Sequence, residues 1–330
     1  MKLLRYLSAA EVSTAMPPLA ERLALADKTM RALGRNAELP PKIGVHPRQT
    51  GSLAHAMPAL LRGDATDGSQ DLIGAKWITG FPANPAAGLP TYHAIVLLND
   101  PVTGEPLAVM DAGAITAQRT AAISGTAIRH FLPEGTVSGR PARVAVLGAG
   151  AQAASHLPVI GHLLPGAMIT VTDVDSARAR ALAAQAGAVE GIASAEAATG
   201  VREAVKSADV VISVVSFGPD RQNLDPAWLG GKTLFVAVDY DMQAPAALAC
   251  EAFFVVDERD QFLATRSDTT FAGYPEPVAT IGEALRGEAT PPTAGRILVT
   301  HLGVGLADVV FASAILKRAE QLGLGTLLPR

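Results

Sequence analysis

The sequence holds one cysteine, Cys250, in 330 residues. That excludes an intramolecular disulfide framework and a cysteine-rich metal site, and it suits reducing surroundings. Charged residues make up only 18% of the chain, the formal net charge is −4, and no run of lysines or arginines occurs. A nucleic acid would find no electrostatic footprint to hold. The seven histidines are scattered, without an H-E-x-x-H spacing, so no metal site is expected. A serine-hydrolase reading lacks its G-x-S-x-G motif. The opening MKLLRYLSAAEV has no sustained apolar core before Glu11, so it does not read as a signal peptide, and a cytoplasmic location is the expectation. Val144–Thr172 lacks Asp, Glu, Lys and Arg, yet its glycines, prolines, histidines and Gln152 fit a buried strand, helix and strand better than a membrane span.

What is present is apolar. The chain is 49% hydrophobic with a mean hydropathy of +0.26, which fits a globular protein of two domains with a large core. The central stretch is RVAVLGAGAQA, Arg143–Ala153. Val144–Leu147 reads as a buried parallel strand, Gly148 and Gly150 as a tight turn, and Ala151–Gln152 as the opening of a helix. Bare N–H groups at such a helix start attract a pyrophosphate. A second strand, Met168–Thr172, ends on Asp173, where a carboxylate would accept from ribose hydroxyls and repel a 2′-phosphate. This argues for NAD(H) over NADP(H), although Arg178 and Arg180 stand where a phosphate could be held. An ordinary βαβ turn with glycines for packing is the competing reading.

Around this turn the chain alternates. Ser8–Leu33 reads as helix with Ser8 and Glu11 as a capping box, interrupted by Pro17 and Pro18. Strands are expected at Leu72–Ile78, Thr91–Leu98 and Pro106–Asp111, and a helix at Ala114–Phe131. Beyond Asp173, helices are expected near Ser176–Ala186 and Glu196–Lys206, and strands at Val210–Val215, Thr233–Val238 and Phe253–Val256. A strand and long helix follow in Arg296–Leu322. The fold class is α/β: a Rossmann-type doubly wound sheet plus an α+β domain. Ligands of such sheets lie past the carboxyl ends of the strands, which places Val215, Ser216, Val238, Asp239 and Asp241 at a cofactor crevice.

Four motifs in order, KWITGFPANPAAGLPT (Lys76–Thr91), DAGAITAQRTAAISG (Asp111–Gly125), LGAGAQA (Leu147–Ala153) and AVDYD (Ala237–Asp241), resemble the ornithine cyclodeaminase/mu-crystallin family over most of the chain. The resemblance implies a homodimer with a nicotinamide cofactor, acting on amino and imino acids. It implies a substrate-binding and dimerisation domain from residues 1–130 plus 305–330, and a Rossmann domain from 131–304. Arg48 and Lys76 then match contacts to the substrate carboxylate, and Arg119 an arginine that touches both substrate and cofactor. Thr91, Ala151, Gln152 and Asp173 match cofactor contacts, and Asp241 matches the catalytic carboxylate, with Asp239 its rival. The chemistry suits these types: an imine reduction needs a cationic clamp on the carboxylate and an acid near the nitrogen. Outside the family context, Lys76 would read as a snorkelling strand lysine and Arg119 as a surface helix residue.

Departures bear on the substrate. His55 stands where cyclodeaminases carry a glutamate, and Thr300-His301-Leu302-Gly303 replaces the usual Asp-Ser-x-Gly. Both changes remove negative charge and add imidazoles. A pocket for ornithine needs carboxylates for a second ammonium, whereas histidines beside a cationic clamp suit a second carboxylate. The expectation is reduction of a small imino acid, dicarboxylic such as iminosuccinate, with His55 at the substrate and His301 at substrate or cofactor. The alternatives are ornithine or lysine cyclodeamination with bound NAD+, and a non-catalytic, crystallin-like NAD(P)H-binding protein. His55 and His301 as plain core or surface histidines is the bland reading.

Overall fold

The computed structural model describes residues 3–329, which form two compact units. The chain passes between them at Arg119/Thr120 and again at Leu302/Gly303. The first passage lies inside a helix, Gly113–Phe131, upstream of the expected boundary at residue 130.

The first unit begins with β1 (Leu3–Leu7), α1 (Ala9–Thr14), α2 (Leu19–Ala32), β2 (Ala37–Glu38), β3 (Ile43–Val45), β4 (Leu53–Leu61), β5 (Leu72–Gly80), β6 (Tyr92–Asn99) and β7 (Pro106–Asp111), and the start of α3 (Gly113–Phe131). Ser8 and Glu11 form the expected capping box on α1, and Pro17 and Pro18 separate it from α2. The second unit holds the rest of α3, then β8 (Arg143–Leu147), α4 (Ala151–Leu163), β9 (Ala167–Thr172), α5 (Ser176–Ala186), β10 (Ile192–Ala197), α6 (Val201–Val205), β11 (Val210–Ser213), β12 (Leu234–Ala237), α7 (Ala246–Glu251), β13 (Phe253–Val256), α8 (Arg259–Thr265), β14 (Ala279–Thr280), α9 (Ile281–Leu285) and β15 (Ile297–Thr300). The first unit is then completed by α10 (Gly305–Gln321) and β16 (Thr326–Pro329).

In the first unit the sheet order is β16-β1-β7-β6-β5-β4-β2, with β3 on β4. All pairings are antiparallel except β1 with β7. Residues paired across a ladder share a face. Met57, Lys76, Val96 and Met110 are paired in a row across β4, β5, β6 and β7, all buried, on the face that α10 covers. The opposite face carries Trp77 paired with Ile95, together with Ile73, Leu107 and Tyr6, all exposed.

The second unit has eight strands, ordered β10-β9-β8-β11-β12-β15-β13-β14 and parallel throughout. Strands β8, β11, β12 and β15 are buried almost end to end, as parallel strands covered on both faces must be. Strand order reverses between β8 and β11, which marks the switch point where such sheets bind ligands. One expected helix, Glu196–Lys206, is corrected: its start belongs to edge strand β10, and only Val201–Val205 is helical. The run IASAEA has one β-branched residue and is mostly exposed, so its alanines gave it a helical look.

Candidate active site

Two groups of side chains stand out, one in each unit. In the first unit Lys76 sits on the covered face of the sheet, only 1% exposed, where a lysine is costly unless paired. Its Nζ lies 2.7 Å from Asp308 Oδ2, a carboxylate from the first turn of α10 with no exposure at all. Arg119 Nε donates to the other oxygen, Asp308 Oδ1, at 3.1 Å. Gly303 makes room for that arginine: a Cβ there would stand 2.5 Å from Nη1, and its φ of +82° disfavours any side chain. One carboxylate thus serves two buried cations. The Lys76 ammonium is pushed down to about 7, chiefly because burial strips its water and despite the attraction of Asp308, with Arg119 opposing the charge further.

His55 is half-buried on β4, on the same face as Lys76. Burial lowers its pKa, and the positive field of Lys42, His46 and Lys76 lowers it further. Arg48 is exposed in the loop after β3 and is not part of the Lys76, Arg119 and Asp308 cluster. Thr91 lies in the turn entering β6, where its carbonyl accepts from Phe81 N at 2.8 Å.

In the second unit the glycine turn has the expected form. Gly148 has φ +95°, and a Cβ on it would stand 2.8 Å from the Val214 carbonyl oxygen, so no side chain fits. The extended Gly150 starts α4 without any side-chain cap, leaving the N–H groups of the Ala151–Gln152 turn for a ligand. Asp173 holds the turn, accepting from Ala149 N at 2.7 Å through Oδ2 and from Asp175 N at 2.9 Å through Oδ1. A Cβ on Gly150 would meet only the Arg178 guanidinium, at 3.6 Å, so a cation overlooks the turn. This cradle fits the diphosphate and ribose of a dinucleotide.

Asp241 lies in the loop between β12 and α7 and is fully buried. Its Oδ1 accepts from Arg221 Nη1 at 2.5 Å and its Oδ2 from Phe271 N at 2.8 Å, while its carbonyl accepts from Gln222 N at 2.8 Å. Among the described residues the non-glycine positions with positive φ are Gln222, Tyr240 and Phe271, at +58°, +63° and +56°. All three touch or adjoin Asp241. Each costs on the order of 1–3 kcal/mol, and strain gathered around one carboxylate signals that its placement matters. Tyr240 also stacks on Phe271, ring centroids 5.6 Å apart.

Asp239, 3% exposed, accepts through Oδ2 from the Ser213 hydroxyl and from Val215 N at 3.1 Å. Burial raises its pKa to about 7, with the Asp241 charge adding to that rise. Ser216 is exposed and Val215 and Val238 are partly exposed, at the ends of β11 and β12. His301 is buried just past β15, its Nε2 2.9 Å from Ser124 Oγ. No group of three or more His, Cys, Asp or Glu suited to a metal occurs among the described residues, and no described helix is long and apolar enough to cross a membrane.

Sequence reasoning missed Asp308 and Arg221. Asp308 resembles any acid in a first helical turn, and only the pairing of β5 beneath α10 reveals its role. Arg221 lies in an irregular segment with no periodicity to read.

Comparison with known proteins bears on both units. The nodulation efficiency protein NfeD of Rhizobium meliloti is 31% identical over 98% of this chain and 98% of its own length. An alanine dehydrogenase of Archaeoglobus fulgidus is 29% identical over 89% of this chain and 88% of its own. The solved Thermococcus litoralis Δ1-pyrroline-2-carboxylate reductase, in complex with NADH and L-proline, superposes with a TM-score of 0.84 at 21% identity, over 98% of this chain and 99% of its own. Its likeness supports the α/β fold with a Rossmann-type sheet. The family model for ornithine cyclodeaminase/mu-crystallin matches residues 7–322, and the chain belongs to that family.

Proposed function

We propose that the chain is an NAD(H)-dependent reductase that converts a small 2-imino acid to the amino acid, and that the imino acid is dicarboxylic, iminosuccinate being the simplest. The observation that carries this reading is the buried pair of cations, Lys76 and Arg119, sharing the single carboxylate of Asp308. With both protonated, one positive charge is in excess, and a substrate carboxylate neutralises it. Lys42 and His46 extend the same field around His55. Such surroundings favour a second carboxylate and oppose the second ammonium of ornithine or lysine.

A bound nicotinamide supplies the hydride in this reading. Lys76 and Arg119 hold the substrate carboxylate, the arginine through its planar fork and the lysine as a point charge. Asp241, fixed by Arg221 and the Phe271 N–H, keeps the substrate nitrogen protonated and holds the ammonium product. Asp173 favours NAD(H), since a 2′-phosphate would meet its carboxylate. The test is NADH oxidation with oxaloacetate plus ammonia against pyruvate plus ammonia. Faster turnover of oxaloacetate is expected; equal or faster turnover of pyruvate would reject the dicarboxylic substrate. Ammonia release from ornithine without net NADH consumption would establish the cyclodeaminase alternative.

Because Lys76 gives up its proton near pH 7, carboxylate binding is expected to weaken as pH rises through that value. KM should climb up to about tenfold per pH unit above 7 in the wild type, whereas Lys76→Gln should show a high KM with a flatter profile.

The same reading makes the chain a homodimer. The exposed sheet face bearing Trp77, Ile95, Ile73, Leu107 and Tyr6 is an apolar patch of the kind a second copy covers. Trp77→Asp is expected to give a monomer by light scattering; an unchanged mass would remove this face from the interface.

A further inference from the structure

Two buried groups of the second unit, on neighbouring strand ends, have their proton positions dictated by their partners. His156 Nδ1 lies 2.6 Å from the Gln152 carbonyl oxygen, which can only accept, so Nδ1 carries a proton. Burial holds this imidazole neutral, its pKa lowered to about 4, and its Nε2 is therefore a bare acceptor. Ser124 Oγ lies 2.8 Å from that Nε2 and must donate its one hydrogen there. The same Oγ, 2.9 Å from His301 Nε2, is left only to accept, so His301 donates from Nε2. A neutral His301 then keeps its lone pair on Nδ1. Three side chains on α3, α4 and the end of β15 make a one-way chain, from His301 through Ser124 and His156 to Gln152, and it sets the tautomer of the last imidazole.

Asp239 has the complementary polarity. Its Oδ2 already accepts two hydrogen bonds, while Oδ1 is buried and has no partner. The acid proton, when present, therefore belongs on Oδ1, and burial, which raises the pKa to about 7, retains it below that pH. A buried oxygen without a partner is rare and costly, and a ligand that supplies one removes the cost. β12 and β15 are parallel neighbours with Ala237 beside Thr300, and His301 N donates to the Ala237 carbonyl at 3.1 Å. Asp239 and His301 thus follow adjacent strands at the carboxyl edge of the sheet.

We propose that Asp239 and His301 are a donor–acceptor pair that reads a primary carboxamide, that of the nicotinamide ring, the Oδ1 hydroxyl donating to its carbonyl and Nδ1 accepting from its amide N–H. The pair is a specificity element for the ring and its orientation, and it rests on the cofactor reading above. Ser124 and His156 are positioning residues that act through the His301 tautomer.

The test uses fluorescence titration with NADH and with the reduced acetylpyridine analogue, whose methyl ketone keeps the carbonyl and lacks the N–H. Wild type is expected to bind NADH about tenfold more tightly than the analogue. His301→Ala should bring the two ligands to equal affinity. Asp239→Asn, which keeps a donor at the Oδ1 position, should retain NADH binding, while Asp239→Ala should lose about tenfold for both ligands. In the 15N-labelled protein without ligand, His301 should show a protonated Nε2 and a bare Nδ1, and Ser124→Ala should release that preference. Equal wild-type affinity for NADH and the analogue, or a His301 protonated only on Nδ1, overturns the pair and leaves the cofactor reading intact. Failure of wild type to bind NADH at all overturns both.

Discussion

Asp308→Ala is expected to destabilise the first unit by about 3–5 kcal/mol in urea denaturation, because it leaves two buried cations without their counter-charge. Lys76→Met is expected to be near neutral or stabilising, since it removes a charge that burial opposes and leaves Arg119 paired one to one with Asp308. The asymmetry is the informative result. If both substitutions cost the same, the cluster is an ordinary ion pair with no charge in excess.

The pH dependence follows from the same group. The unfolded lysine keeps its proton up to its ordinary value of 10.5, whereas the folded one loses it near 7. Between those values the unfolded chain binds more protons, so this group's contribution to stability rises with pH from about 7 toward 10.5. Lys76→Met should lack that rise. A falling wild-type curve over this range, relative to the variant, would mean that Asp308 overcompensates the burial.

Asp241→Asn is expected to lower kcat by about two to four orders of magnitude while leaving NADH binding close to wild type. The amide keeps the size of the carboxylate but can neither hold a proton for the imine nor balance the ammonium product. Arg221 loses its charge partner in the variant, so thermal denaturation should accompany the kinetics; a folded, NADH-binding and inactive protein is the expected outcome. Retention of more than about a tenth of the activity would move the acid–base role elsewhere, with Asp239 the nearest alternative.

The glycine turn and the parallel strands around it were legible because their signals are local. Val144–Leu147 is one apolar run, and Gly148 and Asp173 sit at fixed offsets from it. Lys76 and Arg119 were legible only through the family motifs, since neither carries a local mark of burial. Asp308 stayed hidden because its importance comes from a contact with β5, more than two hundred residues upstream. β1 and β16 were missed as well: both are short, with the exposed β16 at the sheet edge and the partly exposed β1 between it and β7, and such strands leave little pattern. Arg48, expected at the substrate from the resemblance, stands exposed in a loop outside the Lys76, Arg119 and Asp308 cluster.

The way the chain leaves the first unit and returns to it sets an order of assembly. Residues 120–302 run without interruption through all eight parallel strands, so that unit has every partner it needs once residue 302 has been synthesised. The antiparallel sheet, though made first, waits for α10 to cover one face and for β16 to flank β1. Until Asp308 arrives, Lys76 has no carboxylate to bury against. A nascent chain stalled before α10 therefore exposes the apolar underside of that sheet, which makes this half of the protein the part most in need of a chaperone during translation.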